Sequence, residues 1–517
     1  MIRTHRCYDL PVDDVAAPLL YSRGFAFAPT LIELLEELPH FRRISVPDGH
    51  LYVDEVVPLD LEIKGGSWAA LIGTTIPLSS GRLSSSDDSL AGLLLDAAMA
   101  SGTRAVEQDL YDLGGRYALL ISARGEITVH HDACGTRSVY YDAEMNAISS
   151  HLDLLERCRK EAPATSSASL RLDLQWDRTR HPSIRALLAN HRLELRSGRV
   201  TRYHLVQDNP ARSLGHEERL ALIEAAWAEQ LEQIVSLDKP LVLSLTGGQD
   251  SRLMLAMSKE HRDRFESITY TTQEAIDGVE PKTTWERSMA LDHAIVKKLS
   301  PFLPASHRFL PRGSEEGARW VATHRSVLDR NAEVVHGRWI LPLYGASFPG
   351  RDAIHCRGNL LEIGRLLFAE PGDLSNPRDR VLTLLQRRAG KEAQAKRMAT
   401  DLGRRAMDEL TYAQIHPTYE LTDVWYWEVR HSRWYAQLLS ETDPIFESLS
   451  PFNVRRVMDA FLAYAAADRK RALAQSELTY RANPYLTFPA INEESDLYRK
   501  FVSDGRESTV STTGSEA

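Results

Sequence analysis

One run of the chain, residues 241–252, constrains the fold more than any other. A short apolar segment ends in two glycines, and Asp250, Ser251 and a helix-compatible stretch follow. This order predicts a strand, a tight turn and a helix N-terminus, which together gather backbone N–H groups around an anion. Gly247 and Gly248 can adopt positive φ and let the backbone approach a phosphate without an intervening Cβ.

The same run carries side chains suited to a bound phosphate. Ser251 can donate a hydroxyl hydrogen, and Asp250 can hold a magnesium ion that bridges phosphate oxygens. No lysine stands where a Walker-type loop requires one, so a Walker-type NTPase is a poor match. The alternative without function is a glycine turn that only connects a strand to a helix.

Composition excludes several classes of protein. A length of 517 residues favours two or three domains. The net charge of -9 provides no overall basic field for nucleic acid or anionic lipid. The four cysteines show neither metal-ligand spacing nor a disulfide framework, the first residues lack the apolar region of a signal peptide, and no stretch approaches the ~20 apolar residues of a membrane span. We expect a cytoplasmic enzyme without a nucleic-acid or membrane partner.

The pattern of the chain changes near residue 208, and an α/β protein is expected. Before that point, strands are predicted at 69–73, 116–121, 126–131 and 138–141, with a helix at 90–99 and polar loops at 79–89 and 162–169. An amphipathic helix is predicted at 215–236 and a strand at 240–246.

Beyond that strand, strand-like and helical runs alternate, as at 265–271 and 285–299, which favours a parallel sheet covered by helices. The chain is almost wholly helical in pattern after about residue 375. The predicted units are 1–208, 209–502 and a disordered tail at 503–517.

Residues 246–251 resemble the pyrophosphate loop Ser-Gly-Gly-x-Asp-Ser of ATP pyrophosphatases, with Thr246 in place of the first serine. Four N-terminal pieces extend the resemblance, in order, to asparagine synthetase-type proteins: 115–119, 131–141, 148–150 and 191–203. The resemblance implies an Ntn-hydrolase-like αββα sandwich, the glutaminase-like domain. It also implies a PP-loop α/β synthetase domain with a parallel sheet and a helical C-terminal part.

One element of the glutaminase pattern is missing. The family hydrolyses glutamine with an N-terminal cysteine whose thiolate attacks the amide. Ile2 stands in that position here, and the first cysteine is Cys7, which could serve only after removal of six residues. We therefore expect a glutaminase fold without glutaminase activity, which supplies no ammonia to the second domain.

The resemblance implies ATP and Mg²⁺ as cofactors of the second domain. The residues expected to contact the nucleotide are Leu243, Ser244, Thr246, Gly247, Gly248, Gln249, Asp250, Ser251, Thr271, Asp292, Arg357 and Gly358. Asp250 and Glu362 are the expected metal ligands. Leu361 stands where the family has a further acid, so the metal site is altered, and Asn359 could supply an oxygen. An aspartate at position 292 is equally suited to helix capping.

Three residues are expected to take part in catalysis. The resemblance places substrate-facing residues on the helix around 425–434, so Glu428 is the predicted base and Arg433 a substrate contact. The alternative is that the charged residues of that helix only form ion pairs on the surface and have no catalytic role. Asn483 stands where amide-forming relatives carry a lysine that stabilises the charged transition state, and Lys470 or an arginine is expected to replace it.

The resulting hypothesis is an ATP-dependent, AMP-forming amide ligase in specialised or peptide metabolism. A small-molecule or peptide carboxylate attacks the α-phosphorus of ATP, and an amine then displaces AMP. A homodimer or a biosynthetic partner protein is a further expectation. One alternative is an amidotransferase fed by free ammonia or a partner glutaminase, which free ammonium would support. The other is an inactive scaffold or binding subunit, which would not bind magnesium-ATP.

Overall fold

The computed structural model describes residues 17–84, 89–159, 170–313, 315–366 and 376–493. Ile2, Cys7, the polar segment at 162–169 and the tail at 503–517 lie outside the described residues, as does part of the loop at 79–89. The predictions made for those residues therefore stay predictions.

Twelve strands of the described residues form two antiparallel sheets of six strands each. These strands are β1 (Phe25–Ala28), β2 (Phe41–Val46), β3 (Gly49–Asp54), β4 (Leu59–Lys64), β5 (Ser67–Pro77), β6 (Leu113–Ala123), β7 (Glu126–His131), β8 (Tyr140–Asp142), β9 (Ala147–Ser149), β10 (Arg185–Ala186), β11 (His191–Glu194) and β12 (Arg199–Arg202). The strand orders are β10-β8-β9-β1-β3-β2 and β12-β11-β7-β6-β5-β4. The four strands predicted in this part of the sequence are confirmed.

The two antiparallel sheets pack face to face, with helices on their outer faces. Phe27 of β1 and Trp68 of β5 meet in the core between the sheets, with ring centroids 5.6 Å apart. Side chains alternate across a strand, so Leu71 of β5 points outward and packs with Leu94. The covering helices are α1 (Glu33–Glu36) and α4 (Leu152–Cys158) on one sheet, and α2 (Leu90–Ser101) and α3 (Thr103–Asp109) on the other.

The second half is built on a five-stranded parallel sheet. Its strands are β13 (Leu241–Ser244), β14 (Phe265–Thr272), β15 (Ser306–Arg312), β16 (Ile354–Cys356) and β17 (Glu447–Leu449), in the order β15-β14-β13-β16-β17. The chain moves outward from β13 through β14 to β15 and then returns to the other side of β13 at β16. In open parallel sheets, ligands bind beyond the carboxyl ends of the strands at such a switch point.

Helices surround this sheet and fill most of the remaining described chain. They are α5 (His216–Ser236), α6 (Gln249–Met257), α7 (Gln273–Asp277), α8 (Thr284–Lys298), α9 (Glu315–Thr323), α10 (Arg325–Asn331), α11 (Leu341–Ser347), α12 (Pro377–Arg388), α13 (Ala393–Glu409), α14 (Leu421–Trp425), α15 (Ala436–Thr442), α16 (Arg455–Leu462), α17 (Ala466–Lys470) and α18 (Leu473–Ala482). A π-helix, Tyr426–Tyr435, joins α14 to α15. None of the helices described is long and apolar enough to cross a membrane.

The α/β class, the helix at 215–236 and the alternation after residue 240 are confirmed. The expectation of an almost wholly helical chain after residue 375 misses β17, which has only three residues and therefore shows no strand period. The core around α5 contains side chains from both sides of the predicted boundary at 208/209, so that boundary stays a prediction.

Buried ion pairs join the antiparallel sheets to the helical and parallel part. The pairs are Arg116–Asp443, Arg137–Glu447 and Arg202–Glu428. Arg116 contacts Asp443 through two hydrogen bonds, of 2.5 Å and 2.8 Å, and the two side chains are 2% and 4% exposed. A buried guanidinium that loses its carboxylate keeps the full cost of desolvation, so these pairs hold the two parts in one relative position.

This arrangement predicts a large effect of Asp443→Ala on stability. The substitution leaves the Arg116 guanidinium buried without its partner, and the free energy of unfolding should fall by about 3–5 kcal/mol. Urea-induced unfolding measures the change. Glu36→Ala is the matched control, because it removes an ion pair with Arg43 whose side chains are 37% and 43% exposed. It should cost at most about 1 kcal/mol, and an equally small loss for Asp443→Ala would contradict the assignment.

Candidate functional site

A cavity of about 440 Å³ lies at the carboxyl ends of the parallel strands. Ser244 and Thr246 reach it from the end of β13, Tyr270 reaches it from β14, and Arg357 and Gly358 reach it from the end of β16. The opposite wall is formed by α15 and the end of the π-helix. The cavity therefore opens at the switch point of the sheet, where the strand order favours a ligand.

Hydroxyl groups close the turn between β13 and α6. Ser251 Oγ accepts a hydrogen bond from Thr246 N (3.1 Å) and lies 3.0 Å from Thr246 Oγ1. Thr246 Oγ1 in turn accepts from Gly248 N (3.2 Å). The hydroxyl of Thr246 thus closes the turn together with Ser251. The predicted strand, turn and helix N-terminus are all present.

The two loop glycines do not use the positive φ that is open to glycine. Neither Gly247 nor Gly248 lies in the left-handed region, and Gly248 has a φ of -79°. A Cβ at position 247 would lie 2.6 Å from Cδ1 of Ile295 and 3.2 Å from Oδ1 of Asp292, so the ends of these two side chains would have to shift. A Cβ at Gly358 would lie 2.5 Å from the carbonyl oxygen of Asp250. Both glycines therefore permit close approach of neighbouring segments.

Only some of the residues predicted to contact the nucleotide line the cavity. Those that line it are Ser244, Thr246, Gly248, Asp250, Ser251, Arg357 and Gly358. Those that do not are Leu243, Gly247, Gln249, Thr271 and Asp292. Thr271 is buried on the other side of β14 and donates to the carbonyl of Met289 (3.3 Å), since neighbouring strand residues face opposite ways. Asp292 stabilises the loop, because its Oδ1 accepts a hydrogen bond from Gly247 N at 2.7 Å.

Asp250 is the most unusual charged group of the cavity. Its Oδ2 accepts a hydrogen bond from Arg365 (2.6 Å), whereas Oδ1 is buried without a hydrogen-bond partner. Burial, reinforced by the charge of Glu362, raises the pKa of Asp250 to about 8, and Arg365 opposes this shift. A buried carboxylate oxygen without a partner, beside a second carboxylate, is an arrangement that a divalent cation would satisfy.

The donor set fits magnesium rather than a metal enclosed by protein ligands. The described part of the chain contains no group of three or more His, Cys, Asp or Glu side chains that could hold a metal ion. Magnesium is commonly bound by one or two carboxylates together with phosphate and water oxygens. Asp250 lines the cavity and would supply one carboxylate. Glu362 does not line it, and its Oε2 accepts a hydrogen bond from Leu360 N (2.8 Å), but its charge acts on Asp250 and it would be the second carboxylate. Leu361 is buried in the core and offers no ligand at that position.

The predicted catalytic residues lie away from the cavity. Glu428 is fully buried in its ion pair with Arg202. Arg433 is buried and donates to the carbonyl oxygen of Trp176 (3.1 Å), and Lys470 is exposed at the end of α17 without lining the cavity. Glu428 and Arg433 thus make contacts between the two halves, and their part in catalysis stays a prediction.

Several cavity residues carry no motif in the sequence. Glu441 accepts hydrogen bonds from His336 N (3.0 Å) and Gly337 N (2.6 Å), and so fixes the segment that brings His336 and Trp339 to the cavity. His355 Nδ1 accepts from Arg357 Nε (3.1 Å), which orients the guanidinium. Burial, together with the Arg357 charge, lowers the pKa of His355 well below its ordinary value. Only the fold brings these residues together.

No protein-family model matches the chain, and no curated protein sequence matches it. The geometry of the cavity and the residues that line it are therefore the basis on which a function is proposed.

The raised pKa of Asp250 predicts a pH dependence of folding stability. An aspartate of the unfolded chain titrates near pH ~3.9, whereas the pKa in the folded protein is about 8. The folded state thus holds an extra proton between these values, and the free energy of unfolding should fall as the pH rises through this range. The contribution of one group reaches about 1.4 kcal/mol per pH unit.

Asp250→Asn should flatten this decline, as measured by urea-induced unfolding in magnesium-free buffer at several pH values between about 5 and 8. Asp263→Asn is the control, because the Asp263 side chain is 88% exposed, and it should keep the wild-type slope. An unchanged slope in Asp250→Asn would show that another group carries the dependence.

Proposed function

We propose that the chain is an ATP-dependent, AMP-forming amide synthetase. The observation that carries the proposal is the meeting of three features at one cavity: the turn at 246–251, the Asp250 carboxyl group, on which the charge of Glu362 acts, and the switch point of the parallel sheet. The proposal includes a PP-loop assignment for the second half and a degenerate glutaminase, of the Ntn-hydrolase type, for the first.

The first turn of α6 is the proposed site for the pyrophosphate of ATP. The N–H groups of Thr246, Gly247 and Gly248 are used within the loop or by Asp292. The helix begins at Gln249 without a side-chain cap, so the N–H groups of its first turn remain for an anion, and the helix dipole adds to the attraction.

Asp250 and Glu362 would hold magnesium, which neutralises charge on the leaving pyrophosphate. In the proposed first step, a substrate carboxylate oxygen forms a bond to the α-phosphorus of ATP, and the bond to the pyrophosphate oxygen breaks. This displacement requires positioning and charge neutralisation more than covalent help from the protein. Arg357 would stabilise negative charge in the cavity and take the part first assigned to Lys470.

In the second step an amine attacks the acyl carbon, AMP leaves, and the amine loses a proton. His336 is the proposed proton acceptor in place of Glu428. It is exposed, it lines the cavity, and its backbone N–H is fixed by Glu441. An imidazole at such a position can act as a general base. His355 is less suited, because its Nδ1 already accepts a hydrogen bond from Arg357.

The proposal predicts magnesium-dependent binding of nucleotide. Calorimetric titration with α,β-methylene-ATP and magnesium should show binding that Asp250→Ala weakens at least about tenfold, or about 1.4 kcal/mol. Asp263→Ala, at an exposed position, should bind as the wild type does. Folded protein that binds no nucleotide with or without added acids would overturn the proposal and favour the scaffold alternative.

A second prediction separates the two chemical steps. With an acid that supports pyrophosphate release from ATP, hydroxylamine should trap the acyl-adenylate as a hydroxamate. His336→Gln should retain pyrophosphate release and lose at least about tenfold in the rate of amide formation with a natural amine, because a general base contributes about 10²–10⁴-fold. Equal loss of both rates would assign His336 to binding instead.

A further inference from the structure

A second cavity, of about 530 Å³, lies beside the candidate site and shares His336 and Trp339 with it. Its walls come from α9, α10, α11 and the segment after β15. We propose that this cavity, the side cavity, binds the apolar part of a carboxylic acid substrate that carries a hydrocarbon or aromatic group. The inference rests on the proposed function, since it names the substrate class of that reaction.

An uncovered apolar helix face supports this assignment. Helix α9 contains no buried residue, although Ala318, Val321 and Ala322 share one face and line the side cavity. Val335, also on the wall, is 75% exposed. A surface helix ordinarily buries its apolar face against the protein. Here that face borders a cavity of ligand size, and the small alanine side chains leave room for an apolar group.

The charge at the rim favours an acid over a neutral apolar molecule. The Arg312 guanidinium lies over the rings of Trp285 (4.7 Å) and Trp339 (5.3 Å). Among the residues that the structure describes, no carboxylate lies within ion-pair distance of Arg312. Arg325 and Arg338 also line the wall, against a single carboxylate, that of Asp329, which pairs with Arg338 and lies 3.8 Å from Arg325. Guanidinium groups bind carboxylates with directional hydrogen bonds.

The shared wall gives the acid a route to the nucleotide. Trp339 contributes to both cavities, and its ring meets those of Trp285 and Tyr270 at centroid distances of 5.9 Å and 5.8 Å. Trp285 and Tyr270 line the candidate site. An acid whose apolar group covers α9 would thus extend its carboxylate past Trp339 towards the nucleotide, with His336 at the junction.

The test compares acids that differ only in their apolar part. Butyrate, octanoate and 4-phenylbutyrate are titrated calorimetrically into the full chain, with and without magnesium and α,β-methylene-ATP. Each buried methylene should tighten binding about fourfold, so octanoate should bind more than tenfold tighter than butyrate. Phenylbutyrate should gain similarly from its ring.

Ala318→Phe fills the side cavity from an exposed helix position, and it should weaken octanoate binding at least tenfold while nucleotide binding is unchanged. Arg319→Phe is the matched control, because it places the same ring on the same helix at a residue that does not line the cavity. Arg312→Gln should weaken octanoate binding as well. Circular dichroism and thermal melting establish that each variant is folded.

The outcomes separate this inference from the proposed function. Octanoate binding that is sensitive to Ala318→Phe, in a protein that binds no nucleotide, would support the acid site and overturn the synthetase. Nucleotide binding without any preference for octanoate over butyrate would overturn the acid site alone. Loss of nucleotide binding in Ala318→Phe would assign the side cavity to the nucleotide instead, and so would overturn the inference.

Discussion

The buried ion pairs between the two halves determine the shape of the candidate site. Asp443 and Glu447 follow α15, and both are held by arginines of the antiparallel sheets. The same α15 carries Glu441 and Leu438 into the cavity. The antiparallel half therefore fixes a wall of the site, even though it contributes no side chain to it among those described. This gives the half a physical role that requires no glutaminase chemistry.

The local sequence was enough to predict elements whose signal lies within a few consecutive residues. The turn at 246–251 was predictable because an apolar run, two glycines and a polar helix start follow one another directly. The sandwich strands were predictable because apolar side chains recur within each strand. The close contacts of Gly247 were not predictable. Ile295 and Asp292, whose side chains would meet a Cβ at this position, lie on a helix more than forty residues later in the chain.

The site residues were harder to predict, for two physical reasons. The helix around 425–434 is a π-helix, so a face assigned from i,i+3 and i,i+4 spacing does not describe it. Glu428 consequently meets Arg202 in the interface and not the cavity. His336 reaches the cavity only through backbone hydrogen bonds to Glu441, a contact between distant segments that no local pattern encodes.

The acidic side chains Asp250 and Glu362 make the candidate site costly to fold, so neighbouring groups have to stabilise them. Burial and the charge of Glu362 both disfavour the ionised form of Asp250, so the pair costs stability once Asp250 loses its proton, which ordinary core residues would not. Arg365 offsets part of the cost by its hydrogen bond to Asp250. A magnesium ion bound to Asp250, as proposed above, would compete with Arg365 for the same carboxylate, so metal binding should weaken the hydrogen bond between Arg365 and Asp250.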